Sequence, residues 1–137
     1  MRDFFIKYRV PYADTDQMGV VYYANFLVFF ERARNEYFRE IEYPYSRIEE
    51  EGVMLPVIEA HVDYKNPALY DDLLKITVRV SKLKGCRITV ENEIENEQGQ
   101  LICKGYTVHC FMGKESRKPI KAPDLLIEKI ENRENLK

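Results

Sequence analysis

The chain has 137 residues, 45% of them hydrophobic and 32% charged, and a formal net charge of −2. That length supports one domain with a real core, and the near-neutral balance argues against a broad nucleic-acid-binding surface. No apolar run reaches the roughly 18–20 residues of a membrane span, so membrane insertion is not expected.

The first residues, MRDFFIKYRV, lack the apolar h-region and small-residue cleavage site of a secretory signal, which predicts a cytoplasmic protein. Within them Phe4 to Val10 alternates, with Phe4, Ile6, Tyr8 and Val10 on one face and Lys7 and Arg9 on the other. This predicts a half-buried strand that ends at Pro11. Tyr12 to Tyr23 is predicted as a loop that carries Asp14 and Asp16, with Gly19 free to take positive φ or let backbone approach closely. A long helix follows from about Ala24 to Glu40. Its start, Asn25 to Phe30 (NFLVFF), is apolar all the way round, so cover is expected on every side. After Glu31 it turns amphipathic, with Ala33, Tyr37 and Ile41 in one stripe. Asn25 is a candidate capping residue, and Tyr23 and Ala24 are alternative starts. Tyr43-Pro44-Tyr45 breaks the helix. Ser46 to Glu51 predicts a short helical turn, with Ser46 and Glu49 spaced as a capping box and Gly52 as the stop.

Strands come next. Leu55 to Tyr64 is closed by Asn66-Pro67, and Leu73 to Leu83, Arg87 to Glu95 and Leu101 to Met112 are separated by the turns Lys84-Gly85 and Asn96 to Gly99. Two tight connections predict an antiparallel meander. The C-terminal DLLIEKIENRENLK predicts an amphipathic helix, with Pro123 and Asp124 at its start and Leu126, Ile127 and Ile130 as its apolar stripe. The whole is an α+β domain over residues 1–137, with one antiparallel sheet of about five strands and a long helix on one face. One sheet covers only part of a helix that is apolar all round, so a second copy is expected to cover the remainder. Cys86, Cys103 and Cys110 form no C-x-x-C pair, and His61 and His109 stand outside any H-E-x-x-H pattern. Reduced thiols and histidines in strands are predicted, and no metal site.

Asp14 and Asp16 lie just upstream of the helix start, where the first N–H groups, around Tyr23 to Asn25, are unpaired and positive. Such an end inside a protein can polarise a carbonyl. A carboxylate beside it can then attack the polarised carbon or activate water against it. An Asp in front of a helix also serves as a cap or turn residue, and spacing alone leaves both roles open.

The run Tyr12-Ala13-Asp14-Thr15-Asp16-Gln17-Met18-Gly19-Val20-Val21-Tyr22-Tyr23-Ala24-Asn25-Phe26-Leu27, followed by Phe30-Glu31-Arg32-Ala33-Arg34, resembles the signature of one hot-dog thioesterase family. This is the family of 4-hydroxybenzoyl-CoA thioesterase and the Tol–Pal-associated acyl-CoA thioesterases. Asp63 to Asp72 (DYKNPALYDD) and Lys118 to Pro123 (KPIKAP) resemble later segments of the same family, so the likeness runs from about Phe4 to Pro123. It implies a hot-dog fold, a curved antiparallel sheet wrapped around one central helix. It also implies a homodimer joined sheet edge to edge as the minimal unit, commonly doubled to a homotetramer. The implied activity is hydrolysis of acyl-CoA to a free acid and CoA without metal or organic cofactor.

Carried over by position, the resemblance makes Asp16 the catalytic carboxylate, as nucleophile or as general base. It makes the Tyr23 backbone N–H the donor to the thioester carbonyl, and Tyr12 a residue lining the same site. Gly19 and Asn25 are further candidates for substrate contact, while Asp14 is expected to bond loop N–H groups. Lys82, Lys84 and Arg87 crowd a turn resembling the region where related enzymes hold the CoA phosphates; a merely solvated turn is the alternative. One departure stands out. The Tol–Pal-associated branch often carries His at the Tyr23 position, and a phenol with pKa about 10 cannot replace it as a neutral-pH acid–base switch. A non-catalytic acyl-CoA-binding or envelope-associated scaffold, an acyl-carrier-protein thioesterase and a hot-dog dehydratase are the competing readings. The last is disfavoured because both histidines lie outside the motif.

Overall fold

In the computed structural model, which describes residues 3–136, the alternation at the start of the chain becomes strand β1 (Phe4–Arg9). Met1, Arg2 and Lys137, the outermost residues of the expected domain, lie outside the described residues. The other long strands are β3 (Val57–Tyr64), β4 (Leu73–Lys84), β5 (Arg87–Glu95) and β6 (Leu101–Cys110). They form one antiparallel sheet in the order β1-β4-β5-β6-β3. The meander expected from the two tight turns is β4-β5-β6. β3 closes the far edge by pairing with β6 and not with β4, its neighbour in the chain. Period-two patterning sends Leu74, Ile76, Val78 and Val80 of β4 and Ile88, Val90 and Ile94 of β5 into the core.

Helix α1 (Asn25–Glu40) lies on that apolar face and packs against β1 and β4. Phe26, Phe29, Phe30, Ala33, Tyr37 and Phe38 are buried along it, and each fully buried aromatic contributes about 1.5–3 kcal/mol. Tyr8 meets Phe29 at 4.7 Å between ring centroids, and Phe4 meets Tyr37 at 5.9 Å. The helix comes so close to β6 that a Cβ on Gly105 would stand 3.0 Å from Phe30 Cε2 and 2.2 Å from the His61 carbonyl oxygen of β3. Only glycine fits there.

As expected of one sheet, the all-round apolar start of α1 is covered on one side only, with Leu27 37% and Val28 44% exposed in the single chain. Several other expectations need correction. Asn25 is the first helical residue and caps no helix N–H; Ala24 precedes it with no side-chain cap. The Ser46–Glu49 capping box does not form either. Helix α2 (Tyr45–Glu50) starts one residue earlier, behind Pro44, whose backbone is extended and whose carbonyl accepts from Arg47 N–H at 2.9 Å and Ile48 N–H at 3.3 Å. The strand expected from Leu55 starts late: Leu55 and Pro56 lie in no strand, so β3 begins only at Val57. Just before them β2 (Val53–Met54), not expected from the sequence, pairs with β7 (Met112–Gly113) in a separate two-stranded ribbon. Cys103 and Cys110 are buried strand thiols, whereas Cys86 sits in the β4–β5 turn; all three are free.

The C-terminal helix α3 (Asp124–Glu134) buries Leu126 and Ile130, with Ile127 half-buried beside them. Its last residue locks it in place. Glu134 Oε2 accepts from the Tyr37 hydroxyl at 2.5 Å and from the Val80 N–H at 3.1 Å. The β4 register shift between Val80 and Lys82 accompanies that N–H leaving the ladder. Burial first, and the Glu134 bond second, push the Tyr37 phenol far above its ordinary value, so it stays a donor. Replacing Glu134 by Ala strands two buried donors and is predicted to cost about 2 kcal/mol in urea denaturation. A loss indistinguishable from zero would contradict this account of how α3 is held.

Candidate active site

The loop between β1 and α1 is a small hairpin tied to the front end of β4. Val10 N–H donates to Asp72 O at 2.9 Å and Val21 N–H to Ala68 O at 2.8 Å, and Val20 bridges Leu69. Within the hairpin Thr15 bridges Val21, Asp16 N–H donates to Val20 O at 2.9 Å, and Gly19 N–H donates back to Asp16 O at 3.0 Å. Gly19 has φ +77°, which closes this turn. No atom lies within 4 Å of where its Cβ would be, so the turn, and not a close approach within the chain, explains the glycine. The segment read as plain loop also contains a single 3-10 turn at Tyr12–Asp14.

Asp14 organises this segment. Its carboxylate Oδ2 accepts from the Tyr8 hydroxyl at 2.6 Å. Its carbonyl accepts from Tyr22 N–H and from Asn25 Nδ2, both at 3.0 Å. The Asn25 side chain thus ties the helix start to the loop. Burial, then the bond to Asp14, raises the Tyr8 phenol to about 12, so Tyr8 remains the donor.

Asp16 is half-buried, and its side chain is set by an Asx turn in which Oδ1 accepts from Met18 N–H at 2.8 Å. Oδ2 has no protein partner among the described residues. At the start of α1, which follows the hairpin, the N–H groups of Tyr23 and Ala24 have no acceptor among the described residues. One short segment therefore carries both a carboxylate with one free oxygen and a helix start with two free donors. That arrangement can polarise a carbonyl and act on its carbon.

Tyrosines surround the hairpin. Tyr12 is 77% exposed and stands edge-on to Tyr70 at 5.9 Å. Tyr22 and Tyr23 lie 4.8 Å apart, and a hydrogen bond to the Tyr23 hydroxyl, with a smaller push from Asp16, raises the Tyr22 phenol. Sequence analysis did not single out Tyr8, Tyr22, Tyr64 or Tyr70. The only signal available was their polar tips on otherwise apolar strand or motif positions, which says nothing about partners.

The three cations sit elsewhere. Lys82, Lys84 and Arg87 share one groove of about 530 Å³ with Ser81, Thr89 and Tyr106, and Glu59 and Glu91 also reach it. That groove is at the back end of β4, whereas the Asp16 hairpin is tied to the front end. A strand of 12 residues separates them by about 35 Å. Within one chain they do not form a site with Asp16.

The histidines are also outside. His61 bonds Asp63 at 3.1 Å and stacks on Tyr106. His109 is buried, with Nε2 against Thr107 Oγ1 at 2.8 Å and Nδ1 against Leu55 O at 3.3 Å.

With this geometry, comparison with known proteins is informative. The sequence model of the thioesterase-like superfamily matches residues 10–130. The chain belongs to that superfamily. It is similar to the acyl-CoA thioesterase YbgC of Haemophilus influenzae, 38% identical over 88% of each chain. It is likewise similar to the putative acyl-CoA thioesterase YneP of Bacillus subtilis, 36% identical over 82% of this chain and 81% of that one. Among solved structures, DHNA-CoA thioesterase from Staphylococcus aureus superposes with a TM-score of 0.93 at 29% identity, covering 99% of this chain and 93% of that one. The fold is therefore the hot-dog fold of thioesterases, and the chain is an enzyme of the thioester hydrolase class. No helix among the described residues is long and apolar enough to cross a membrane.

His109 provides a pH test of the core at the end of the sheet away from the Asp16 hairpin. Burial first, and the Arg34 charge second, lower it from 6.5 to about 4. Between those values the unfolded chain takes up a proton that the folded chain refuses. The contribution is thus whole above pH 6.5 and is lost as pH falls towards 4, up to about 3 kcal/mol. The unfolding free energy of wild type should fall more steeply over this window than that of His109→Gln; parallel slopes would contradict a neutral buried imidazole.

Proposed function

We propose that this enzyme hydrolyses acyl-CoA thioesters to a free acid and CoA, with Asp16 as the reacting carboxylate and the Tyr23 N–H as donor to the thioester carbonyl. The observation that supports it is that one hairpin-to-helix segment holds both Asp16, whose Oδ2 has no hydrogen-bond partner among the described residues, and a helix start whose Tyr23 and Ala24 N–H groups lack acceptors. As the carbonyl carbon becomes tetrahedral, negative charge grows on its oxygen, and the helix-start N–H groups stabilise that charge. Asp16 then acts by one of two routes. As nucleophile it forms an Asp16–acyl anhydride and expels CoA thiolate, and water cleaves the anhydride; as base it takes a proton from the water that attacks directly. Both routes use the chain's own groups and water, and neither draws on a metal or organic cofactor. In a single turnover in ¹⁸O-labelled water, an unlabelled product with the label in Asp16 marks the nucleophilic route with water attacking the Asp16 carbonyl of the anhydride, and trapping of the anhydride separates the base route from attack at the acyl carbon.

The active unit in this proposal is a homodimer joined through β3. The strand is exposed along most of its length, Val57 and Ile58 are about half exposed, and Leu27 and Val28 of α1 are bare on the same side. A groove of about 220 Å³ between them also reaches Arg34 and Ala60. Antiparallel pairing of two β3 edges would cover this flank. It would also bring the Lys84–Arg87 turn of the second copy within three strand spacings, about 15 Å, of this chain's Tyr64 end. CoA phosphates bound there would lie on one subunit and the thioester on the other. A homotetramer of two such dimers rests on the family resemblance alone.

A panel of short, medium, long and aromatic acyl-CoAs, followed by free thiol release, tests the reaction. Asp16→Asn is expected to lower kcat by about 100-fold or more with the fold intact. Turnover that survives the change removes Asp16 from the mechanism; saturable acyl-CoA binding without turnover in either protein supports a binding protein instead. For the dimer, Val57→Glu with Ile58→Glu should give a monomer by light scattering that has lost activity. A fully active monomer would remove β3 pairing from the proposal.

A further inference from the structure

We infer that Tyr64 is a positioning residue for the carbonyl-polarising donors: from the end of edge strand β3, its hydroxyl holds the peptide at the start of α1. This rests on the thioesterase reading of the Asp16 site. The Tyr64 hydroxyl donates to the Tyr23 carbonyl oxygen at 3.1 Å. In a regular helix that carbonyl would accept from Leu27 N–H, four residues on. Here Leu27 N–H turns to Ala24 O at 3.3 Å, and the Tyr23 carbonyl receives only a long bond of 3.4 Å from Phe26 N–H. The first turn is loose and tight-wound at once, and the phenol supplies the shorter bond.

The phenol is itself well anchored. Its ring stands 5.8 Å from Phe26 and 6.3 Å from Tyr23. Its backbone pairs with Cys103, and immediately after it Lys65 N–H and Asn66 N–H both donate to Ile102 O, at 2.9 and 3.1 Å. The carbonyl and N–H of one peptide point in opposite directions, so fixing the Tyr23 C=O fixes the Ala24 N–H. The neighbouring peptide is fixed in the same way, by Asn25 N–H donating to Tyr22 O at 2.9 Å, which sets the Tyr23 N–H. A bond accepted by the carbonyl also polarises the peptide and strengthens its own N–H as a donor. Tyr64 thereby aligns the Ala24 N–H with the Tyr23 N–H as a second donor towards the thioester oxygen.

Tyr64→Phe removes the hydroxyl and keeps the ring contacts. It should lower kcat about five- to tenfold, with KM within about twofold and the unfolding temperature unchanged. Tyr64→Leu, which also loses the ring, should show the same kcat deficit with an added loss of stability. Amide NMR gives a readout that needs no turnover: the Ala24 N–H should move upfield and exchange faster in Tyr64→Phe. Wild-type kcat in Tyr64→Phe beside an inactive Asp16→Asn would overturn the positioning role and leave the thioesterase reading standing. So would a kcat loss that tracks a fall in unfolding temperature. An active Asp16→Asn would remove the Asp16 mechanism instead, and an unmoved Ala24 amide would then overturn the Tyr64 anchor on its own.

Discussion

The seating of α1 on the concave face of the sheet is the constraint on which the rest of the molecule depends. Phe26, Phe29 and Phe30 are buried there, and Phe30 comes down on a strand position that only Gly105 can occupy. Interiors are packed closely enough that this contact has few alternatives. It sets the height and direction of the helix, and hence where its N-terminus points. The C-terminal helix completes the same core from the other end, through the carboxylate of Glu134 on Tyr37 and Val80.

A second, smaller network ties the loop to that helix start. Asp14 spends its carboxylate on Tyr8 and its carbonyl on Tyr22 and Asn25, so the hairpin, β1 and the first helical residue move as one body. Asp16, two residues on, is set by its own Asx turn and keeps an oxygen free. The two carboxylates thus differ in which oxygens are engaged because the hydrogen-bond donors around them differ. The same division appears in the backbone: carbonyls at the helix start are tied down by Asn25 and Tyr64, while the N–H groups of Tyr23 and Ala24 are left open. A protein that only needed to start a helix would cap those groups.

One flank of the helix and sheet stays uncovered in the single chain. Leu27 and Val28 belong to a helix segment that is apolar all round, yet the sheet's curvature reaches only the side carrying the phenylalanines. The edge strand beside them has unpaired backbone groups and few side chains facing a core. The cationic turn lies at the opposite end of the sheet from Asp16, too far for one small ligand to span within a single chain. Pairing at that edge would answer both features at once.

The sequence by itself determined the α+β class, the strand and helix succession, the amphipathic C-terminal helix and the motif that carries Asp16. All of these follow from local periodicity, turn residues and a long contiguous match. Patterning could not decide that β3 pairs with β6, that the strand expected from Leu55 starts only after Pro56, or that α2 starts at Tyr45 behind Pro44 and not at a Ser46 cap. Strand order depends on contacts between distant segments, and caps depend on which neighbouring group reaches the N–H first. Nor could it separate Lys82, Lys84 and Arg87 from the Asp16 hairpin, since residue spacing along a chain says nothing about which end of a strand faces which site. Only the tertiary structure decided which polar atoms are consumed and which stay free. Hydrogen-bond partners such as Tyr8 and Tyr64 come from opposite edges of the sheet and meet only after the core has formed.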